Sequence, residues 1–226
     1  MFIGHFGIGF GAKKAAPKIS LGMLFIAAQF LDLLWPVLVL LGIEHVVIKP
    51  GVTSVTPLDF TDYPISHSLV MALFWSFLLG AAYWFSGKNI RNSTIIGICV
   101  LSHWILDLIV HAPDLPLYPG TSPKLGFGLW NSFAISQIVE WLIFIAGVVL
   151  YLRTTSAKNR KGSIILWILI GLMAVSHLAN IFGPPPPGVM EIAWAGQLQW
   201  IFVLLAIWAD RNRIVRQKQD VSKRID

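Results

Sequence analysis

One cysteine in 226 residues excludes an internal disulfide. That residue, Cys99, lies inside an apolar run and reads as core packing. Charge is scarce as well: 12% of residues are Asp, Glu, Lys or Arg, 56% are hydrophobic, and the mean hydropathy is +0.71. This balance argues against an ordinary soluble domain. No Gly-x-Ser-x-Gly elbow occurs, which argues against a soluble Ser-His hydrolase. A secretory signal is not expected, because residues 1–12 are apolar but are followed, not preceded, by lysines. No convincing internal repeat is present: Ser-His recurs at 66–67, 102–103 and 176–177 with different flanks.

What the chain does have is apolar length. Six stretches near the roughly 20 residues a bilayer requires fall at 19–42, 66–85, 94–111, 130–152, 163–182 and 193–208, joined by connections at 43–65, 86–93, 112–129, 153–162 and 183–192. The expected fold is an all-α polytopic bundle of six transmembrane helices. A short N-terminal segment, residues 1–12, is too short to span and is expected to be re-entrant or interfacial, with a surface-lying arm as the alternative. One integral membrane domain covers 1–226: candidate metal-site helices within 1–145, supporting helices over 146–208 and a basic tail over 209–226. The net charge of +6 raises the question of nucleic acid, and its distribution answers it. Fifteen lysines and arginines fall in the N-terminal arm, the second and fourth connections and the tail, while only Lys49 and Lys124 fall on the other side. The positive-inside rule then places both termini in the cytoplasm of an inner-membrane protein. The basic charge reads as topology and lipid contact, and no nucleic-acid partner is expected.

Against this apolar background, His103, Asp107 and His111 stand out. Four-residue spacing advances only about 40° around a helix and rises about 6 Å per step, so all three project from one stripe. Imidazole and carboxylate donors on one face are what a divalent metal takes as ligands. Ionisable groups in mid-span cost roughly 2.5–3.5 kcal/mol each on insertion scales and suggest function. Asp32 falls about 20 Å into the first span and Glu140 about 15 Å below the outer end of the fourth. His67 opens the second span. A helix running back from Lys13 would bring His5 about 12 Å into the bilayer. Each has a plainer reading: Asp32 bonded through Gln29, Ser66 as an N-cap, Ser136 bonded to Glu140. His177 with Ser176 and Asn180 reads as an interhelical hydrogen-bonding cluster, Glu44 and His45 as loop surface, and Pro184–Pro187 as a stiff outer turn.

Taken in order, Gly4-His5, Gln29-x-x-Asp32, Ser66-His67-Ser68-Leu69 and Ser102-His103-Trp104-x-x-Asp107 resemble the membrane-bound metal-dependent hydrolases, inner-membrane proteins described as LexA-binding hydrolases. The likeness covers roughly residues 1–145. His111-Ala112-Pro113-Asp114-Leu115-Pro116 and Gly128-Leu129-Trp130-Asn131 are similar to segments of one uncharacterised branch. A more distant likeness is to the zinc-dependent phospholipase C superfamily, whose His-x-x-x-Asp and following His match His103, Asp107 and His111. Its later His-x-x-x-Glu would be Ser136-x-x-x-Glu140, one His short, so a trinuclear cluster is not expected. Leu34 stands where the hydrolase pattern often has a second Asp, which argues against a bridged binuclear site.

The resemblance implies a divalent-metal-dependent hydrolase acting at the outer membrane–water interface. Zn²⁺ or Mn²⁺ would be held by His5, Asp32, His67, His103 and Asp107. Glu140 would act as general base or further ligand, and His111 would hold the leaving group or a second metal. The substrate would be a phosphoester of a lipid or lipid-linked headgroup, with membrane lipid as the other partner. Two other classes stand beside it: an ion, proton or small-molecule transporter, and a non-catalytic membrane assembly protein. Transport requires polar groups through both leaflets. Here the inner half reads as dry, and Pro36 is the main proline inside a span.

Overall fold

The computed structural model describes residues 1–87 and 89–216; Lys88, Lys218, Lys223 and Arg224 of the basic clusters lie outside the described residues. From the N-terminus run helix α1 (Ile3–Ala15), helices α2 (Leu21–Ala28) and α3 (Phe30–Leu40), and a hairpin of β1 (His45–Ile48) and β2 (Leu58–Asp62). The short helix α4 (Pro64–His67) leads into the helical hairpin α5 (Leu69–Gly87) and α6 (Ile90–Val110). Next come the two-residue strands β3 (Leu115–Pro116) and β4 (Lys124–Leu125), and then α7 (Phe133–Thr154). Strand β5 (Thr155–Ala157), α8 (Arg160–Phe182), α9 (Val189–Gln197), α10 (Gln199–Arg211) and β6 (Arg213–Val215) complete the described chain, β5 pairing antiparallel with β6.

The architecture is the expected all-α membrane bundle. α5, α6, α7, α8 and the continuous Val189–Arg211 are long and apolar enough to span, and α2 with α3 makes a sixth span bent by 59°. Phe77, Leu142, Trp167 and Leu204 are each more than half exposed on its outside, a surface suited to acyl chains and not to water. The first span differs from the unbroken 19–42 helix expected. It breaks at Gln29, and Pro36 inside α3 removes the N–H that would have bonded the Asp32 carbonyl. The Gln199 side-chain amide donates to that carbonyl instead, at 3.3 Å.

α1 settles the position of the N-terminal segment: it lies inside the bundle. Ile3, His5, Phe6, Phe10 and Lys13 are all buried. Its 13 residues rise about 20 Å, enough to reach from one end of the bundle to the level of Asp107. Glycines permit this. A Cβ on Gly147 of α7 would overlap the Gly7 carbonyl, and one on Gly7 would strike the Ile143 carbonyl, so the two backbones touch as small residues allow in membrane helix pairs. Phe6 and Phe10 then meet Phe25 edge-on at 5.0 and 4.8 Å.

The far end of α1 corrects the expectation of a dry inner half. Lys13 Nζ donates to Asp210 and to the Ile19 carbonyl, both at 2.7 Å. Asp210 also accepts from Leu21 N–H at 3.1 Å and from the Tyr151 hydroxyl at 2.8 Å. One carboxylate thereby ties together the ends of α1, α2, α7 and α10. Phe6 and Phe10, on the same helix, separate this clamp from His5.

Over-packing a close backbone contact costs about 1–3 kcal/mol or more. Gly147→Leu is therefore expected to lower the thermal unfolding midpoint in detergent sharply. Gly171→Leu, at a glycine with open space around it, should stay within about 0.5 kcal/mol of the parent. Equal midpoints for the two variants would refute the α1–α7 packing described.

Candidate metal centre

α6 carries the centre. Its last turns place His103 and Asp107 one turn apart, both buried, and His111 at the C-cap. Asp107 Oδ2 lies 3.2 Å from His103 Nε2 and 3.7 Å from His67 Nε2. Asp107 Oδ1 lies 3.0 Å from His5 Nε2 and 4.0 Å from His111 Nε2. The Met1 nitrogen is 2.8 Å from the same Oδ1. Asp32 Oδ1 lies 3.4 Å from His67 Nε2 and 3.6 Å from His103 Nε2. The structure thus brings His5, Asp32, His67, His103 and Asp107 into one cluster. His5, His103 and Asp107, and likewise Asp32, His67 and His103, form groups whose donor atoms all lie within 4.8 Å of one another. Bonds of about 2.0–2.1 Å in a tetrahedral site put ligand atoms about 3.3 Å apart, close to the spacings here.

The imidazoles are aimed by what holds their other nitrogens. The break at Gln29 leaves the Ala28 carbonyl outside the helical ladder, and His103 Nδ1 sits 2.9 Å from it. With the Nδ1 proton donated there, Nε2 offers a lone pair, and it is buried without a hydrogen-bond partner among the described residues. His67 Nδ1 lies 2.7 Å from Ser66 Oγ, whose hydroxyl donates to Glu44. His111 Nδ1 lies 2.9 Å from Asp114 Oδ1, which also accepts from Tyr63 OH at 2.7 Å. Burial, and then the Asp114 carboxylate beside it, raises the Tyr63 phenol well above its ordinary pKa, so it stays a donor. A second partner that fixes tautomer and ring orientation is how proteins prepare histidine to ligate metal. The donor set and the orphaned His103 nitrogen both fit a divalent ion.

Glu140 does not join the two groups. Its Oε1 accepts from Phe2 N–H and Gly4 N–H, supplying the acceptor that the first turn of α1 lacks. Ser136 does not bond it, and its hydroxyl has no partner among the described residues. His177 bonds Gln137 at 3.0 Å and approaches Glu140 at 4.0 Å, an interhelical bond as expected, but made to α7 and not through Ser176 or Asn180. Asp32, His67, Asp107, His111 and Glu140 share the wall of one cavity of about 830 Å³, to which no described lysine or arginine contributes.

Glu44 was expected on the loop surface and is instead 1% exposed. It accepts from the Ile65 and Ser66 N–H groups, both at 2.7 Å, as well as from the Ser66 hydroxyl. This also displaces the reading of Ser66 as an N-cap, since the serine lies inside α4. The only signal in the sequence was indirect: a helix opening at Pro64 needs an acceptor for its first free N–H groups. Each buried donor left unpaired costs about 1–3 kcal/mol. Glu44→Ala should therefore lower unfolding free energy by on the order of 3 kcal/mol. Asp62→Ala, which removes an exposed partner of His45, should cost about 0–1 kcal/mol. Equal losses in denaturant titrations would show that Glu44 does not hold this turn.

Comparison with known proteins adds a family. Among curated proteins and solved structures, nothing matches. A model of the YdjM inner membrane protein family matches residues 60–182, a stretch that includes His67, His103, Asp107, His111 and Glu140. That match covers more than half of the sequence, and with the apolar helices it establishes that the chain belongs to the YdjM inner membrane protein family and is an integral membrane protein.

Proposed function

We propose that this protein is a divalent-metal-dependent hydrolase whose site opens at the outer membrane–water interface. The observation that carries the reading is the convergence of Asp32, His67, His103 and Asp107 at ligand spacing, with both imidazoles already held at Nδ1. The resemblance to membrane-bound metal-dependent hydrolases supports it. Zn²⁺ or Mn²⁺, bound there, would supply a nucleophilic water near neutral pH and polarise a phosphoryl oxygen. The chain's own residues do the rest. His103 and Asp107 form the buried back of the site. His67 and Asp32 close its cavity side. Of the cavity-wall residues His111 and Glu140, the first would hold a leaving group or a second ion and the second would take a proton. The substrate class is a phosphoester of a lipid or lipid-linked headgroup, reached from the membrane surface.

Two features favour this over transport. The cavity with its carboxylates and imidazoles lies at one end of the bundle, and the buried core of Phe6, Phe10, Phe25, Phe144 and Tyr151 lies beyond it. The polar groups past that core, Lys13 and Asp210, are paired with each other. A conducting path would need unpaired polar groups there.

Two experiments test the reading. Protein purified in mild detergent without chelator is expected to carry Zn or Mn and to hydrolyse a phosphodiester lipid analogue. His103→Ala and Asp107→Asn should lose both metal and turnover, since an amide is a poor substitute for a carboxylate ligand. Glu140→Gln should keep the metal and lose about 10²–10⁴ in rate. Unchanged metal content and rate in all three variants would remove the hydrolase reading.

The basic asymmetry further supports cytoplasmic termini. Cys99 is buried, so cysteines introduced at Lys158 and Ser122 can be labelled separately. Impermeant reagent should reach position 122 from outside and position 158 only from inside. Labelling of both from outside would invert or abolish the proposed topology.

A further inference from the structure

The carboxylate of Asp107 has two oxygens, and the structure gives each its own set of imidazoles. Oδ2 faces His67 and His103, with Asp32 beyond them. Oδ1 faces His5 at 3.0 Å and His111 at 4.0 Å. We propose that Asp107 bridges two divalent ions, one in the Asp32–His67–His103 set and a second held by Asp107 Oδ1, His5 and His111. This rests on the metal-dependent reading above and extends it from one ion to two.

Ring geometry is the first support. His5 and His103 stack with centroids 3.6 Å apart and planes 7° from parallel. Each directs Nε2 at a different oxygen of the same carboxylate. Parallel imidazoles at that offset suit two ions about 3.5–4 Å apart, the usual spacing of two-metal sites. Without cations between them and the carboxylate, the cluster would crowd four imidazoles around one buried acid.

The hold on His111 is the second support. Asp114 fixes its Nδ1, and Tyr63 fixes Asp114, a carboxylate–histidine arrangement that orients a ligand. A spacing of 4.0 Å to Oδ1 is one that two bonds of about 2.1 Å can span. Asp107 and His111 both line the cavity, so an ion held between them would be open to it. The Met1 nitrogen, 2.8 Å from Oδ1, would have to give way to the ion.

Charge is the third support. No described lysine or arginine lines the cavity, while Asp32, Asp107, Glu140 and Glu191 do. One divalent ion only cancels Asp32 and Asp107. A second balances Glu140 and Glu191 as well, so that an anionic phosphoester no longer meets a net negative wall. The bridge that Leu34 in place of an aspartate argued against is thus supplied from α6 instead of α3.

The test is the number of ions per chain, measured by elemental analysis after equilibrium dialysis of the detergent-purified protein against Mn²⁺. Exchange coupling is read by electron paramagnetic resonance. Two ions per chain with a coupled signal are expected in the parent. His5→Ala and His111→Ala should each leave one ion with an uncoupled signal, and so should Asp32→Asn, which spares the second set. One ion in the parent, unchanged in His5→Ala and His111→Ala, would overturn the bridge and leave the single-ion reading standing. Two ions unaffected by those substitutions would overturn the assignment of residues. No bound ion at all would overturn both readings.

Discussion

A single buried carboxylate organises the site end of this protein. Asp107 is 1% exposed, in a helix whose other faces meet apolar neighbours, and an isolated charge there would be costly. Its neighbours are arranged accordingly. α6 supplies His103 and His111 from the adjacent turns, α4 supplies His67, and α1 enters the bundle far enough to supply His5. Trp104 adds a tether, its indole N–H donating to the His67 carbonyl at 2.9 Å. The placement of α1 along α7, with glycine against glycine, is what allows His5 to reach the acid.

Irregular backbone does much of the positioning. A continuous helix over 19–42 would keep the Ala28 carbonyl in its own ladder and deny His103 its Nδ1 partner. The break at Gln29 releases that carbonyl, and Pro36 releases that of Asp32 for Gln199. Unsatisfied backbone groups inside a membrane are expensive, so such breaks persist only where other groups take up the freed bonds. Here one freed acceptor orients a site imidazole and the other locks α3 to α10.

Local spacing was legible in the sequence and long-range pairing was not. His103, Asp107 and His111 share a stripe because 3.6-residue periodicity dictates it, and the apolar lengths announced the spans. That Asp32 would meet them followed from depth, which rise per residue estimates, whereas His5 was assigned by the resemblance alone because the position of its segment was open. Glu44 escaped because its burial depends on the pairing of His45 with Asp62, which brings it beside the start of α4, and nothing in the hairpin's own composition signals this. Asp210 escaped because its partners Lys13 and Tyr151 lie far away in the chain, and a basic arm beside a helix end reads first as topology. Glu140 was visible as a buried acid, but the N–H groups it accepts from belong to a helix whose position was undecided.

The same carboxylate accounting bears on function. In a bundle built only for stability, a well-packed apolar residue at position 107 would do at least as well as a buried charge surrounded by imidazoles. The cluster also sits on the wall of a cavity instead of being sealed in the core. Asp210, at the other end, shows what a structural acid looks like here: one lysine, one tyrosine and one backbone N–H occupy its oxygens. Asp107 has the Met1 nitrogen on one oxygen but differs in that four imidazoles also face it, and His103 retains a nitrogen with no partner among the described residues. Donors that face one another across ligand distance, with the outer nitrogens of His67, His103 and His111 already committed, make a group that could hold a cation.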